Sequence, residues 1–165
     1  MCSSSDIIKA HPGQKLMLAG AQIEVLYTLD LYDDEELDEY NTSSVVTRIT
    51  VGGQSFLMTG DMTETSNTNL IEMYGSKLMS DFVQVAHHGY AGGTESFYNT
   101  VKADYVLWPA SKVGYDEMKN KDRNSNFKSL SSNRLIVALD NITIITLPYA
   151  GSGAVTVSCS DYLGG

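Results

Sequence analysis

The stretch "DFVQVAHHGYAGGT" (81–94) places two imidazoles, His87 and His88, directly behind an apolar run that reads as a buried strand. The chain has three histidines in all, so most of its imidazole sits at one strand end. A second apolar run, "QSFLMT" (54–59), leads straight into Gly60 and Asp61, and a third, "YVLW", stops at Pro109. Adjacent strands finishing at one sheet edge would bring the carboxylate and the imidazoles together. Carboxylate oxygen with imidazole nitrogen is a ligand set for zinc or a related transition metal. Asp61 could bridge two cations, while Gly60 permits a tight turn beside them and Gly89 lets backbone approach closely. Taken singly, each feature has a plainer account. An Asp after a glycine is a common turn or cap residue. Adjacent histidines are commonly surface groups, of which only one points inward. The joint arrangement weighs more than its parts.

Positioning such groups takes a sheet, and the sequence pattern supplies one. Strands are predicted over 15–20 and 21–28, then over 44–51, where Val45, Thr47, Ile49 and Val51 alternate onto one face. The paired glycines at 52–53 accept the positive φ of a two-residue hairpin turn, and 54–59 is the returning strand. Apolar spacing through Leu70, Ile71, Met73, Tyr74 and Leu78 predicts a helix within 64–79. A strand over 81–86 follows, then a short helix over 94–102 opened by Thr94, then a strand over 104–109. Residues 112–130 read as a polar loop with one late helical turn near Phe127 and Leu130. Strand-like runs at 134–139, 142–147 and 154–159 close the chain as a meander. The expected fold is an α/β layered (α+β) domain, with 1–14 a tail and 15–165 one domain. No G-x-G-x-x-G follows a strand and no G-K-[ST] occurs, so neither nucleotide-binding pattern is present.

Composition narrows the partners. A length of 165 residues with 42% hydrophobic content suits one globular domain with a real core. A net charge of −9 disfavours nucleic-acid phosphate as a partner, because such binding rests on clustered lysine and arginine. Much of the acid lies in "LDLYDDEELDEY" (29–40), read as a solvated loop rather than a cation site. Cys2 and Cys159 define neither a disulfide framework nor a cysteine zinc site. No run reaches the length of a membrane span, and "MCSSSDIIKAHPG" lacks the basic start and apolar block of a signal peptide. The chain is soluble as written, and its compartment stays open between cytoplasmic and extracytoplasmic.

From residue 15 to about 158, the order "FLMTGD", helix, "VAHHGY", helix and strand ending at Pro109 resembles the metallo-β-lactamase superfamily. More narrowly it is similar to the hydrolase domain of bacterial competence proteins that handle DNA uptake. The resemblance implies that Asp61 bridges two metals and that His87 or His88 binds one of them. It implies a zinc cofactor, with manganese as the alternative, dinuclear only in a complete domain. The superfamily's H-x-H-x-D-H signature is absent, since His11 stands in "AHPGQ". Asn41 to Ser44 occupy a region where other branches carry a histidine. Tyr90 replaces the usual serine, and "VGYDE" (113–117) stands where a late "GHP" is common.

The resemblance therefore implies the C-terminal half of an αββα sandwich, with a mixed, mostly antiparallel sheet and a few flanking helices. The implied function is part of a metal-dependent hydrolase that cleaves an ester, phosphodiester or lactam-type bond with metal-activated hydroxide. Asp61 and His88 would be its catalytic groups, and His87 the neighbour that orients them. The isolated chain is expected to be inactive, because two or three ligands fall short of a two-metal hydrolytic site. The alternative is a non-catalytic, degenerate domain that binds a ligand or partner. Expected partners are a small ester or phosphoester, and either a second copy or an N-terminal half. One of these last two would cover an apolar face drawn from Met17, Leu26, Val46 and Phe56.

Overall fold

Thr47, Ile49 and Val51 alternate along a strand that turns at Gly52 and Gly53 and returns through Phe56, and this hairpin anchors the sheet. The computed structural model describes residues 9–29 and 40–157. The acidic loop from 30 to 39 and both cysteines, Cys2 and Cys159, lie outside the described residues. Strands β1 (Lys15–Leu18), β2 (Ala21–Tyr27), β3 (Val46–Val51) and β4 (Gln54–Met58) pair antiparallel in sequence order. Beyond β4 the sheet turns parallel through β5 (Phe82–Gln84), β6 (Tyr105–Trp108) and β7 (Leu135–Val137). Parallel neighbours need a crossover. Helices α1 (Glu64–Tyr74), α2 (Glu95–Val101) and α3 (Lys112–Met118) lie in the three that are required. The result is a mixed α/β layered domain with one seven-stranded sheet, ordered β1 to β7.

Each helix starts on a side-chain cap. Thr63, Thr94 and Ser111 accept from the amides of Ser66, Phe97 and Gly114 respectively, so one orphan donor of each first turn is met. The helices cover one sheet face. Leu57, Val83 and Val106 of the sheet pack there with Leu70, Phe97, Val101 and Phe127. On the opposite face Phe56 stacks on Phe82 at 4.3 Å. Tyr149 closes over them, its ring 4.8 Å from Tyr105. Gln54 fixes that segment through both main-chain groups of Tyr149, accepting from its N–H at 2.6 Å and donating to its carbonyl at 2.9 Å.

Several expectations change. The closing runs form no meander: β7 joins the main sheet beside β6, while β8 (Ile142–Ile145) and β9 (Ala154–Val157) make a separate hairpin. The run over 112–130 holds α3 where loop was expected, while the expected late helical turn is present as a 3-10 turn (Asp122–Phe127). Gly13 and Gln14, expected in a tail, exchange backbone hydrogen bonds with Val25. Val45 precedes β3 and is exposed. Leu26 and Val46, expected on an uncovered face, are 1% and 0% exposed because they pack beneath the helices. Met17, by contrast, is 71% exposed, on the edge strand β1. Among the described residues no helix is long and apolar enough to cross a membrane.

Candidate metal centre

Three strand ends meet at one edge, held by backbone geometry before any functional side chain is considered. The Thr59 hydroxyl, at the end of β4, donates to the carbonyl of Gln84 in β5 at 3.2 Å. The amide of His87 donates to the carbonyl of Gly60 at 3.0 Å, joining the two loops that carry Asp61 and the histidines. The amide of Val85 donates to Leu107 at 2.7 Å and ties β5 to β6.

Asp61 and His88 come together across this edge, with Oδ1 and Nε2 3.6 Å apart and both side chains partly open to solvent. The other ring nitrogen of His88, Nδ1, is 2.5 Å from the carbonyl oxygen of Pro109. A carbonyl only accepts, so Nδ1 is the donor to Pro109 and Nε2 is the nitrogen turned toward Asp61. The main chain is held as well: the indole of Trp108 donates to the carbonyl of His88 at 2.8 Å. Asn124 donates to the carbonyl of Gly89 at 3.0 Å.

The histidines are not on the strand. β5 stops at Gln84, and His87, His88 and Gly89 all adopt positive φ, at 47°, 53° and 91°. Strand alternation therefore does not decide which ring faces Asp61; a left-handed turn does. A methyl group at Gly89 would stand 2.5 Å from Cζ2 of Trp108, so the turn needs glycine for its close approach as well as its φ. His87 is half-buried, with Nδ1 shielded from solvent and without a hydrogen-bond partner. The close contact to Asp61 is made by His88.

The pair can be tested against a zinc ion by distance alone. Two donors on one tetrahedral zinc, each about 2.1 Å from it, stand about 3.4 Å apart. The observed 3.6 Å fits two corners of such a site. A backbone carbonyl on the far nitrogen is also the usual way a metal-binding histidine is oriented. The donor set is short, however: among the described residues no three His, Cys, Asp or Glu side chains are grouped to hold a metal ion. His87 is beside the pair in sequence and does not complete it as a third donor. His11 sits in the turn before β1, its amide donating to Gln14. Ser44 lies against the Asp61 turn, since a methyl group on Gly60 would be 3.7 Å from the Ser44 Cβ.

Sequence reasoning singled out Pro109 only as a strand end, and it missed Trp108 and Asn124 as supports of the turn. The Trp108 indole follows three apolar strand residues, which is a signal for core and not for a donor. Asn124 lies in a polar run that gives no sign of its burial at 3% exposure.

No protein-family model matches the chain. A stretch of 68 residues is 32% identical to Competence protein ComA of Neisseria gonorrhoeae, covering 41% of this chain and 10% of that protein. The matched part is thus about a tenth of the relative's length. Among solved structures, a CmlA beta-hydroxylase E377D mutant aligns with a TM-score of 0.41 at 17% identity, over 62% of this chain and 25% of that one.

Proposed function

We propose that this chain is the second half of a metallo-β-lactamase-like hydrolase domain, contributing Asp61 and His88 to a metal centre whose other ligands come from elsewhere. The observation that carries this reading is the oriented pair, His88 Nε2 at 3.6 Å from Asp61 with Nδ1 held by Pro109. The likeness to a competence protein supports it. In a complete site zinc or manganese would supply an activated hydroxide and neutralise charge developing on an ester, phosphodiester or lactam-type bond. Asp61 offers the carboxylate, and His88 offers a neutral nitrogen whose ring direction is set by a main-chain acceptor. The turn through Gly89 shapes the lip on which substrate would rest. A small ester or phosphoester suits the acidic chain better than nucleic acid does.

Calorimetric titration with zinc and with manganese tests the centre. The parent chain binds weakly, Asp61→Ala and His88→Ala abolish binding, and His87→Ala weakens it by about tenfold to a hundredfold at most. Equal affinity in the parent and all three variants would sink the metal assignment. Hydrolysis of phosphodiester and lactam reporters by this chain alone is expected to be undetectable; vigorous turnover would refute the half-domain part.

A second reading, a degenerate module that binds a ligand or partner without catalysis, is favoured by the missing third donor among the described residues. The coding sequence upstream of residue 1 separates the two. An H-x-H-x-D-H run there supports the hydrolase, and its absence supports the module.

A further inference from the structure

We propose a second binding site, for a small organic anion with an apolar body, in the cleft between α2 and the 3-10 turn Asp122–Phe127. The cleft measures about 470 Å³ and reaches the helix-covered side of β5 and β6 through Val83 and Val106. Phe127 and Leu130 form an apolar wall, and Lys102 and Arg134 stand on its rim. That volume lies within the usual range for small-molecule sites. The cleft opens where β6 and β7 begin, whereas Asp61, His88 and Pro109 gather where β4, β5 and β6 finish. The two sites therefore occupy opposite ends of the sheet.

The polar groups of the cleft that could meet a ligand's head are mostly donors. Lys102 and Arg134 form no ion pair among the described residues, although elsewhere Lys15, Arg48, Lys112 and Lys119 each face a carboxylate. Arg134 spends Nε on the carbonyl of Asp104 at 2.8 Å, which fixes the plane of the guanidinium and leaves its terminal nitrogens to bind. Asn126 lines the same cleft, and its Nδ2 is buried with no acceptor. Asp81 and Asp104 share the next recess with Lys102, yet neither pairs with it, and the Asp81 carboxylate already accepts from Ser55. In a chain of net charge −9, the cleft itself is lined by two cations that pair with no carboxylate among the described residues, beside an apolar wall. An arginine fork and an ammonium suit a carboxylate or phosphate head, and the wall suits an alkyl or aryl body.

Octanoate, octanol and inorganic phosphate are the probes, titrated against the full chain with a chelator present and followed by amide shifts in NMR spectra. Octanoate moves the amides of Lys102, Ala103, Asn126 and Phe127 to saturation. Octanol and phosphate, each holding half of the required chemistry, bind at least about tenfold more weakly. Lys102→Gln, whose lost ammonium has no partner in the fold, weakens octanoate at least about fivefold, and Arg134→Gln does likewise. Asp61→Ala leaves octanoate binding unchanged, so loss of the metal assignment would not touch this site. No saturable shift in the parent, or full binding in the Lys102→Gln, Arg134→Gln double variant, would overturn the proposal. Phosphate as strong as octanoate would reduce the cleft to a charge patch and overturn the apolar half.

Discussion

Gly89 has less freedom to change than either histidine before it. Its φ of 91° is one that other residues rarely adopt, and a methyl group there would meet the Trp108 ring at 2.5 Å. Gly89→Ala is expected to destabilise the chain by about 2–4 kcal/mol, from backbone strain and overpacking together. A drop in melting temperature of about 5–15 °C is the measurable consequence. Displacement of Trp108 also frees the carbonyl of His88, so the variant should take up zinc less tightly than the parent. A melting temperature within 2 °C of the parent, about the shift for 1 kcal/mol in a chain of this size, would contradict this. Tyr98 sits behind the same turn, its hydroxyl oxygen accepting from the Ala86 amide at 3.1 Å. Burial pushes its phenol up to about 12, only partly opposed by that bond. At this scale the meeting of Asp61 and His88 was legible, since each follows an apolar strand and the two strands are neighbours. The Pro109 acceptor was not, because every residue owns a carbonyl and only the fold says where it points.

Ser55 and Asp81 fasten the beginnings of two parallel neighbours, β4 and β5. The Asp81 carboxylate accepts from the Ser55 hydroxyl at 2.6 Å and from the Ser55 amide at 2.7 Å, while the hydroxyl accepts from the Asp81 amide at 3.0 Å. Burial pushes the Asp81 carboxyl up, but these bonds outweigh it and leave it below its ordinary 3.8. A depressed carboxyl stabilises the fold above its unfolded value, and that contribution is lost as pH falls through the folded value. The clamp therefore works in full near neutrality, begins to weaken near the ordinary carboxyl value of about 4, and is lost only below its own depressed value. Ser55→Ala should lower the melting temperature at neutral pH and flatten its decline in acid; parallel curves for parent and variant would exclude the clamp. Element reading from sequence succeeded where period and turn chemistry agreed, as in the β3–β4 hairpin around Gly52 and Gly53. It failed for α3, a helix of seven residues whose polar pattern hides its cap at Ser111 and its packing through Met118. It also failed for the final strands, because periodicity shows that Leu135–Val137 is a strand and not which sheet it joins.

Across the whole sheet, Leu16, Ile23, Ile49, Phe56, Phe82 and Tyr105 stand opposite one another in a single row. Tyr149 covers the Phe82 end, while Leu16 at the other end is 46% exposed. An apolar row of this kind is favourable to bury, at about 25 cal/mol per Å². The chain alone should therefore self-associate as concentration rises, and Leu16→Lys should weaken that association in sedimentation velocity. One monomeric boundary at every concentration would count against it. The apolar alternation was readable, but its faces were not: Leu26 and Val46 differ from Phe56 only in which way they point. The sheet has one more consequence, for the order of assembly. β1 pairs with β2 and β3 with β4 through short turns, whereas Asp61, His88 and Pro109 meet only after two helical crossovers have been closed. Closing those loops costs entropy before any contact returns it, so the antiparallel half can form early and the strand-end cluster arises late. A cation captured by Asp61 and His88 would act as a latch on the finished sheet. It would slow unfolding and leave the refolding rate as it was.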